Sequence, residues 1–352
     1  MRKLIWAFGG IALVLVAARL VLGAEPMQPV PAASGPRIEA RFVRMIAKSP
    51  KPVRAVSFDA AGSTLAVTGV DGRIRLLSVP GGQAIREFAH PGGATAIDRS
   101  PDGRSIATVG YDGTLRLWDL ASGAGRVVKV SAQPLWALRF SPDGKSLAVA
   151  GEDKLIHLMT ADGTPLRTLT GHQRNVWDLA FSSDGQTLAS GSFDHTLKIW
   201  DVASGRLVRA VGHHDQAIVG VDVRRGDGMI ATGGDDATLR LWRSNGDPVR
   251  TLAAGQFVDA VAFSADGQWL ASGGRESHGI DAAIKAVIGR HPFGGSNPTA
   301  RIWRVADGAL VAALDRQPDD VVAVGFSPDG CWLATGSEDG SVALWRLQPV
   351  AR

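Results

Sequence analysis

His172, Ser190 and Asp194 carry the residue types of a hydrolase triad: a hydroxyl nucleophile, an imidazole base and a carboxylate to orient it. Their spacing argues against that chemistry. The same types recur as His90, Thr108 and Asp112, and again as His214, Thr232 and Asp236, at the same offsets of 18 and 4 residues. A reaction needs one such set; three copies suit a repeated structural task. Ser190 falls in an expected strand, and no Gly-x-Ser-x-Gly elbow presents a serine. The lone Cys331, beside Trp332 in another expected strand, is read as structural. It also excludes an intrachain disulfide and any Cys-rich zinc or iron–sulfur site, and no Cys-x-x-Cys-His offers a haem attachment. Of the eight histidines, His90, His172, His195, His213 and His214 fall in expected loops of one face, and three of these belong to the recurring sets. The remainder lacks ligand spacing, and the Asp of each Ser-Pro-Asp-Gly is a turn former, not part of a calcium loop. Neither a metal nor a cofactor is expected.

The elements that carry these residues follow from composition and period. With 43 Gly and 18 Pro among 352 residues, 45% hydrophobic and 20% charged, the chain is neither disordered nor collagenous. Three of the residues behind its net charge of +4, Arg2, Lys3 and Arg19, lie in the N-terminal segment. The body is close to neutral, so nucleic acid is not an expected partner. Segments of the form D-x-x-h-x-h-W begin at Asp71, Asp112, Asp153, Asp194, Asp236 and Asp339, in steps of 41, 41, 41, 42 and 103. The last step conceals one more unit, ending in Asn297 to Trp303 and carrying an insertion of about 20 residues, so there are seven. Each unit reads as four short strands, a to d, joined by turns such as Ser-Pro-Asp-Gly at Ser100, Ser141 and Ser327. Two-residue alternation with such turns predicts antiparallel meanders.

One such sheet cannot bury both faces, whereas seven packed radially can. The expected fold is therefore all-β: a seven-bladed propeller of four-stranded antiparallel sheets over residues 37–350. The seventh unit ends after strand c, at Trp345 to Gln348, and Arg37 to Ala47 has strand character. That N-terminal strand is expected to complete the last blade and close the ring.

These residues resemble the WD-repeat β-propeller family. Trp118-Asp119 and Trp200-Asp201 show its eponymous dipeptide, Trp242, Trp303 and Trp345 are each followed by Arg, and Gly171-His172 and Gly212-His213 match its Gly-His. The resemblance implies a stabilising His–Ser/Thr–Asp–Trp tetrad inside each blade. Three units fit it: His90, Thr108, Asp112 and Trp118; His172, Ser190, Asp194 and Trp200; His214, Thr232, Asp236 and Trp242, with His213 as the alternative to His214. The seventh has Thr335, Asp339 and Trp345 with Gln317 in place of His; the sixth has Ser272 and Trp303. Units one and three are apolar instead, with Val67 and Val149 for the hydroxyl and Leu77 and Met159 for Trp.

Two segments stand outside the repeat. Arg2-Lys3 followed by the apolar run to Ala24 has the pattern of a signal peptide or an uncleaved membrane anchor (residues 1–24), and residues 25–36 read as a Pro/Ala-rich linker. Either way the body is expected to be exported, periplasmic or held at the membrane outside the cytoplasm. The insertion at about 275–298 in blade 6 carries an apolar stripe, Ile280, Ala283, Ile284, Val287 and Ile288, at helical spacing. It is expected to pack on the propeller or to serve as a docking element.

In the family the b–c and d–a loops form the face that most often meets partners, which points to Tyr111, Trp136, Trp177 and Phe193, with Arg54, Asp235 and Asp259 on the same face. Exposed aromatics of this kind are enriched in binding hot spots. The function expected is a monomeric, non-enzymatic scaffold that binds a protein or peptide there. The alternative is a propeller hydrolase or small-ligand binder with a central pocket under the 275–298 insertion.

Overall fold

The computed structural model describes residues 35–275 and 299–350, which contain strands and turns and no helix. Each blade is a meander of four neighbouring antiparallel strands, a innermost and d outermost. The inner strands are Val53–Phe58, Ala94–Arg99, Leu135–Phe140, Val176–Phe181, Ile218–Val223, Phe257–Phe263 and Val321–Phe326. Seven hydrophobic clusters fill the seams between successive blades. The seam between blades 7 and 1, with Val53, Leu65, Trp332, Ala334 and Val342, makes the ring continuous.

Strand b of each blade is almost wholly buried because it is sandwiched between neighbouring sheets, which explains its small residues. Gly191 shows the limit: a Cβ there would lie 2.5 Å from Ile218 and 2.6 Å from Val221 of the next blade. At the rim, arginines of strand d reach the c–d turn of the following blade. Arg86 donates to the Leu120 carbonyl at 2.6 Å, Arg167 to that of Ala203 at 2.6 Å and Arg209 to that of Asn245 at 2.8 Å.

The ring is closed by the N-terminal strand Arg37–Lys48, antiparallel to the last strand, Ser341–Val350. Phe42 faces Trp345 with ring centroids 5.5 Å apart, and Ile46 is buried in the seam of blades 7 and 1. At its end, Lys48 Nζ donates to Asp339 Oδ2 at 2.7 Å. Arg37 lies at the opposite end of the strand, opposite Val350.

Strand b of blade 6 ends at Arg275 and strand c starts at Ala300, so residues 276–298 interrupt a b–c turn. The helix expected there lies outside the described residues, as do the expected leader and all but the last two residues of the expected linker. Among the described residues no helix is long and apolar enough to cross a membrane.

Candidate functional site

Blade 4 contains the tightest polar set. Trp200 Nε1 donates to Ser190 Oγ at 2.8 Å, Ser190 Oγ lies 2.7 Å from His172 Nε2, and His172 Nδ1 lies 2.8 Å from Asp194 Oδ2. A neutral imidazole with its proton on Nδ1 satisfies these three short contacts: Ser190 donates to Nε2 and His172 donates to the carboxylate. Asp194 also accepts from the Thr196 amide at 3.0 Å and the Gln173 amide at 2.9 Å. Burial works to raise the Asp194 pKa, but hydrogen bonds from His172 and Thr196 overcome it and hold the carboxyl well below its ordinary range. Burial lowers the His172 pKa against the pull of Asp194, which favours the neutral ring. Blade 5 repeats the arrangement, with His214 2.8 Å from Asp236 and 2.7 Å from Thr232. In blade 2, His90 stands 2.9 Å from Thr108 and 3.1 Å from Asp112, whose pKa falls to about 2. Ser190 is fully buried and its oxygen is occupied by an indole N–H, so this relay offers no substrate an approach.

The remaining blades meet the same need differently. In blade 7, Thr335 Oγ1 donates to Gln317 Oε1 at 2.5 Å and accepts from Trp345 Nε1 at 3.1 Å. In blade 6, Trp303 donates to Ser272 at 2.9 Å. Blades 1 and 3 bury Val67 and Leu77, and Val149 and Met159, where hydroxyl and indole stand elsewhere.

One partner escaped the sequence reading. A cationic or imidazole side chain four residues after the turn Asp contacts its carboxylate in five blades: Arg75, Arg116, His157, Lys198 and Arg240. Blade 7 has Ala343 at that position, and Lys48 of the closing strand supplies the charge instead. The signal D-x-x-x-[RKH] was available in the sequence.

The b–c and d–a loops form one face around the central channel. On its blade 2–4 side the rings of Tyr111, Trp136, Trp177 and Phe193 make a continuous ladder. Tyr111 meets Trp136 edge-on at 5.4 Å, Trp136 stacks on Trp177 at 4.5 Å, and Trp177 stacks on Phe193 at 4.7 Å. All four are half-buried, and Trp177 stacks on both of its neighbours. Across the channel the charged candidates are paired. Arg275 Nε lies 2.9 Å from both Asp259 oxygens, and its Nη2 lies 2.7 Å from Asp235. Burial pushes the Asp259 pKa up to about 6; Arg275 pulls it back, and Asp235 and Asp320 add to the rise. Arg54 pairs with Glu338 and sits beside Tyr111; burial opposes its charge, but these neighbours raise its pKa. His195 takes a positive φ of 70° in its b–c turn, where blades 1, 2 and 7 have Gly72, Gly113 and Gly340. Among the described residues no three His, Cys, Asp or Glu side chains group as metal ligands.

Below the mouth lies a cavity of about 200 Å³, lined by Trp136, Trp177, Asp259, Asp98, Asp178 and Arg139 among others. Its carboxylates staple the ring. Asp98 accepts from the Phe140 amide of the next blade at 2.8 Å and Asp178 from that of Val221 at 2.9 Å; Asp222, lower down, accepts from that of Phe263 at 2.7 Å. Arg139 donates to Asp178 at 2.9 Å. Burial raises all three acids, Asp222 to about 6.

The raised value of Asp222 has a measurable consequence. Its folded pKa of about 6 lies above the ordinary 3.8, so its contribution is full below pH 3.8 and is lost as pH rises to 6. Ionisation therefore costs the wild type up to about 3 kcal/mol between these limits. Asp222→Asn does not titrate. Its stability relative to wild type is expected to improve by as much as about 3 kcal/mol between pH 4 and pH 7 in denaturant unfolding. A pH-independent difference contradicts this.

The model for the WD domain, G-beta repeat, matches residues 42–78, 82–119, 125–158, 163–201, 205–243, 246–280 and 308–346. Pre-mRNA-processing factor 19 homolog 2 of Arabidopsis thaliana is 29% identical over 193 residues, 46% of this chain and 36% of that protein. Nuclear distribution protein nudF of Aspergillus niger is 30% identical over 162 residues, 45% of this chain and 32% of that protein. Guanine nucleotide-binding protein subunit beta of Arabidopsis thaliana is 30% identical over 162 residues, 44% of this chain and 39% of that protein. The chain thus spans about a third of the length of these curated relatives.

Proposed function

Because this chain belongs to the WD domain, G-beta repeat family, we propose that it is a non-enzymatic protein-interaction scaffold that binds a protein or peptide partner on its b–c and d–a loop face. The observation that carries this reading is the ladder of Tyr111, Trp136, Trp177 and Phe193, four half-buried rings in contact on one face. Rigid aromatics bury large area at little conformational cost, which suits them to anchor a partner.

Enzymatic readings draw less support. The triad-like sets are buried and self-satisfied. The axial cavity of about 200 Å³ is smaller than usual small-molecule sites, and its acids already hold backbone amides. The proposal includes export, with the propeller outside the cytoplasm. The closing strand begins at Arg37, the end away from the loop face.

Crosslinked co-purification of the full chain tests the reading. Trp136→Ala and Trp177→Ala are each expected to lower partner capture by about tenfold, a typical hot-spot effect, and Phe193→Ala by less. Capture unchanged in the triple variant would exclude this face.

A further inference from the structure

We propose that the partner segment recognised by the ladder is a basic one, with a lysine or arginine side chain next to an apolar residue. The inference rests on the proposed use of the loop face and adds the chemistry of its occupant.

Two observations carry it. First, the ladder brackets a carboxylate. Glu152 holds in blade 3 the turn position that Tyr111 holds in blade 2 and Phe193 in blade 4, and strand a below it supplies Trp136. Glu152 is half-buried, and its side chain makes no hydrogen bond or ion pair among the described residues. A half-buried carboxylate without a counter-ion, framed by aromatic rings, favours a cation that brings its own apolar stem.

Second, the axis is acidic although the chain as a whole carries +4. Among the described residues Asp98, Asp178, Asp259 and Glu338 stand against Arg54, Arg139 and Arg275, and each arginine is already engaged with an acid. With Glu152 added, these acids outnumber the axial arginines, which favours a cationic occupant. The nearby loop cations, Lys154 and Arg174, are solvent-exposed and so better screened. The rings pack against the apolar neighbour, and Glu152 meets the charge.

Selection from a degenerate library of blocked nine-residue peptides on the immobilised full chain tests the proposal. Lysine or arginine beside an aliphatic residue is expected to be enriched at least threefold. That enrichment should be lost in Glu152→Gln and in Trp177→Ala, and capture should fall about fivefold between 50 and 300 mM salt. Selected peptides that need Trp177 but lack a basic residue, or that ignore Glu152→Gln and salt, overturn the basic occupant and leave the loop-face reading standing. Capture indifferent to Trp177, or no enrichment at all, overturns both.

Discussion

A protein lacking residues 37–48 is expected to lose cooperative unfolding altogether. The deletion strips the last strand, Ser341–Val350, of its antiparallel partner along its length and exposes its backbone donors and acceptors as a sheet edge. It also takes Ile46 out of the seam between blades 7 and 1, and removes the Lys48 charge from Asp339. A propeller opened at one seam loses the packing of two blades at once, and the total stability of a domain is only about 5–15 kcal/mol. A milder probe grades the effect: Ile46→Ala should cost about 2–5 kcal/mol in denaturant unfolding. A single sharp transition in the deletion variant, within a few degrees of the full chain, would refute the closure.

Asp194→Ala is the second large effect, with an expected loss of about 3–5 kcal/mol. The carboxylate accepts from His172 and two backbone amides, and lies 3.4 Å from the buried Lys198 ammonium. Removing it leaves the buried Lys198 without its counter-ion, on the Thr196 hydroxyl alone, and the imidazole N–H without its carboxylate acceptor. Ser190→Ala should cost about 1–3 kcal/mol for the indole and imidazole it strands. Ser190→Val combined with Trp200→Leu copies the apolar solution of blade 1, so the pair should cost less than the sum of its parts. Strict additivity in a double-mutant cycle would show that the four side chains do not act as a set. Acid adds a signed check. Asp194, held below its ordinary pKa, stabilises the fold above pH 3.8, and that stability drains away below it. The opposite slope of Asp222 lies between pH 3.8 and 6, so the two contributions separate in a pH series.

Much of this architecture was legible because it repeats. The turn Asp and the Trp six residues later set the period, and a seventh unit short of one strand called for a donor, which Arg37–Lys48 supplies. The cation four residues after the turn Asp was harder to see, because its identity drifts through Arg75, Arg116, His157, Lys198 and Arg240 while its charge task stays fixed. Blade 7 hides it further by borrowing Lys48 from the other end of the chain.

The loop face was legible by position but not by pairing. Repeat alignment alone put Tyr111, Trp136, Trp177 and Phe193 on one side, and their adjacency follows from successive blades. That Asp235 and Asp259 share Arg275 depends on how close two neighbouring blades bring their loops, which no single repeat encodes. The channel acids went unremarked for a similar reason. Asp98 and Asp222 stand fifth in their inner strands and Asp178 third, so they form no repeat, and only the ring brings them to one axis.

Photocrosslinking from single positions tests the central claim, that the loop face meets the partner, most directly. A benzophenone side chain in place of Trp177 should capture a discrete partner, whereas the same group in place of Ile85, exposed on an outer strand, should not. Capture from Ile85 with none from Trp177 would place the contact on the rim and contradict the account.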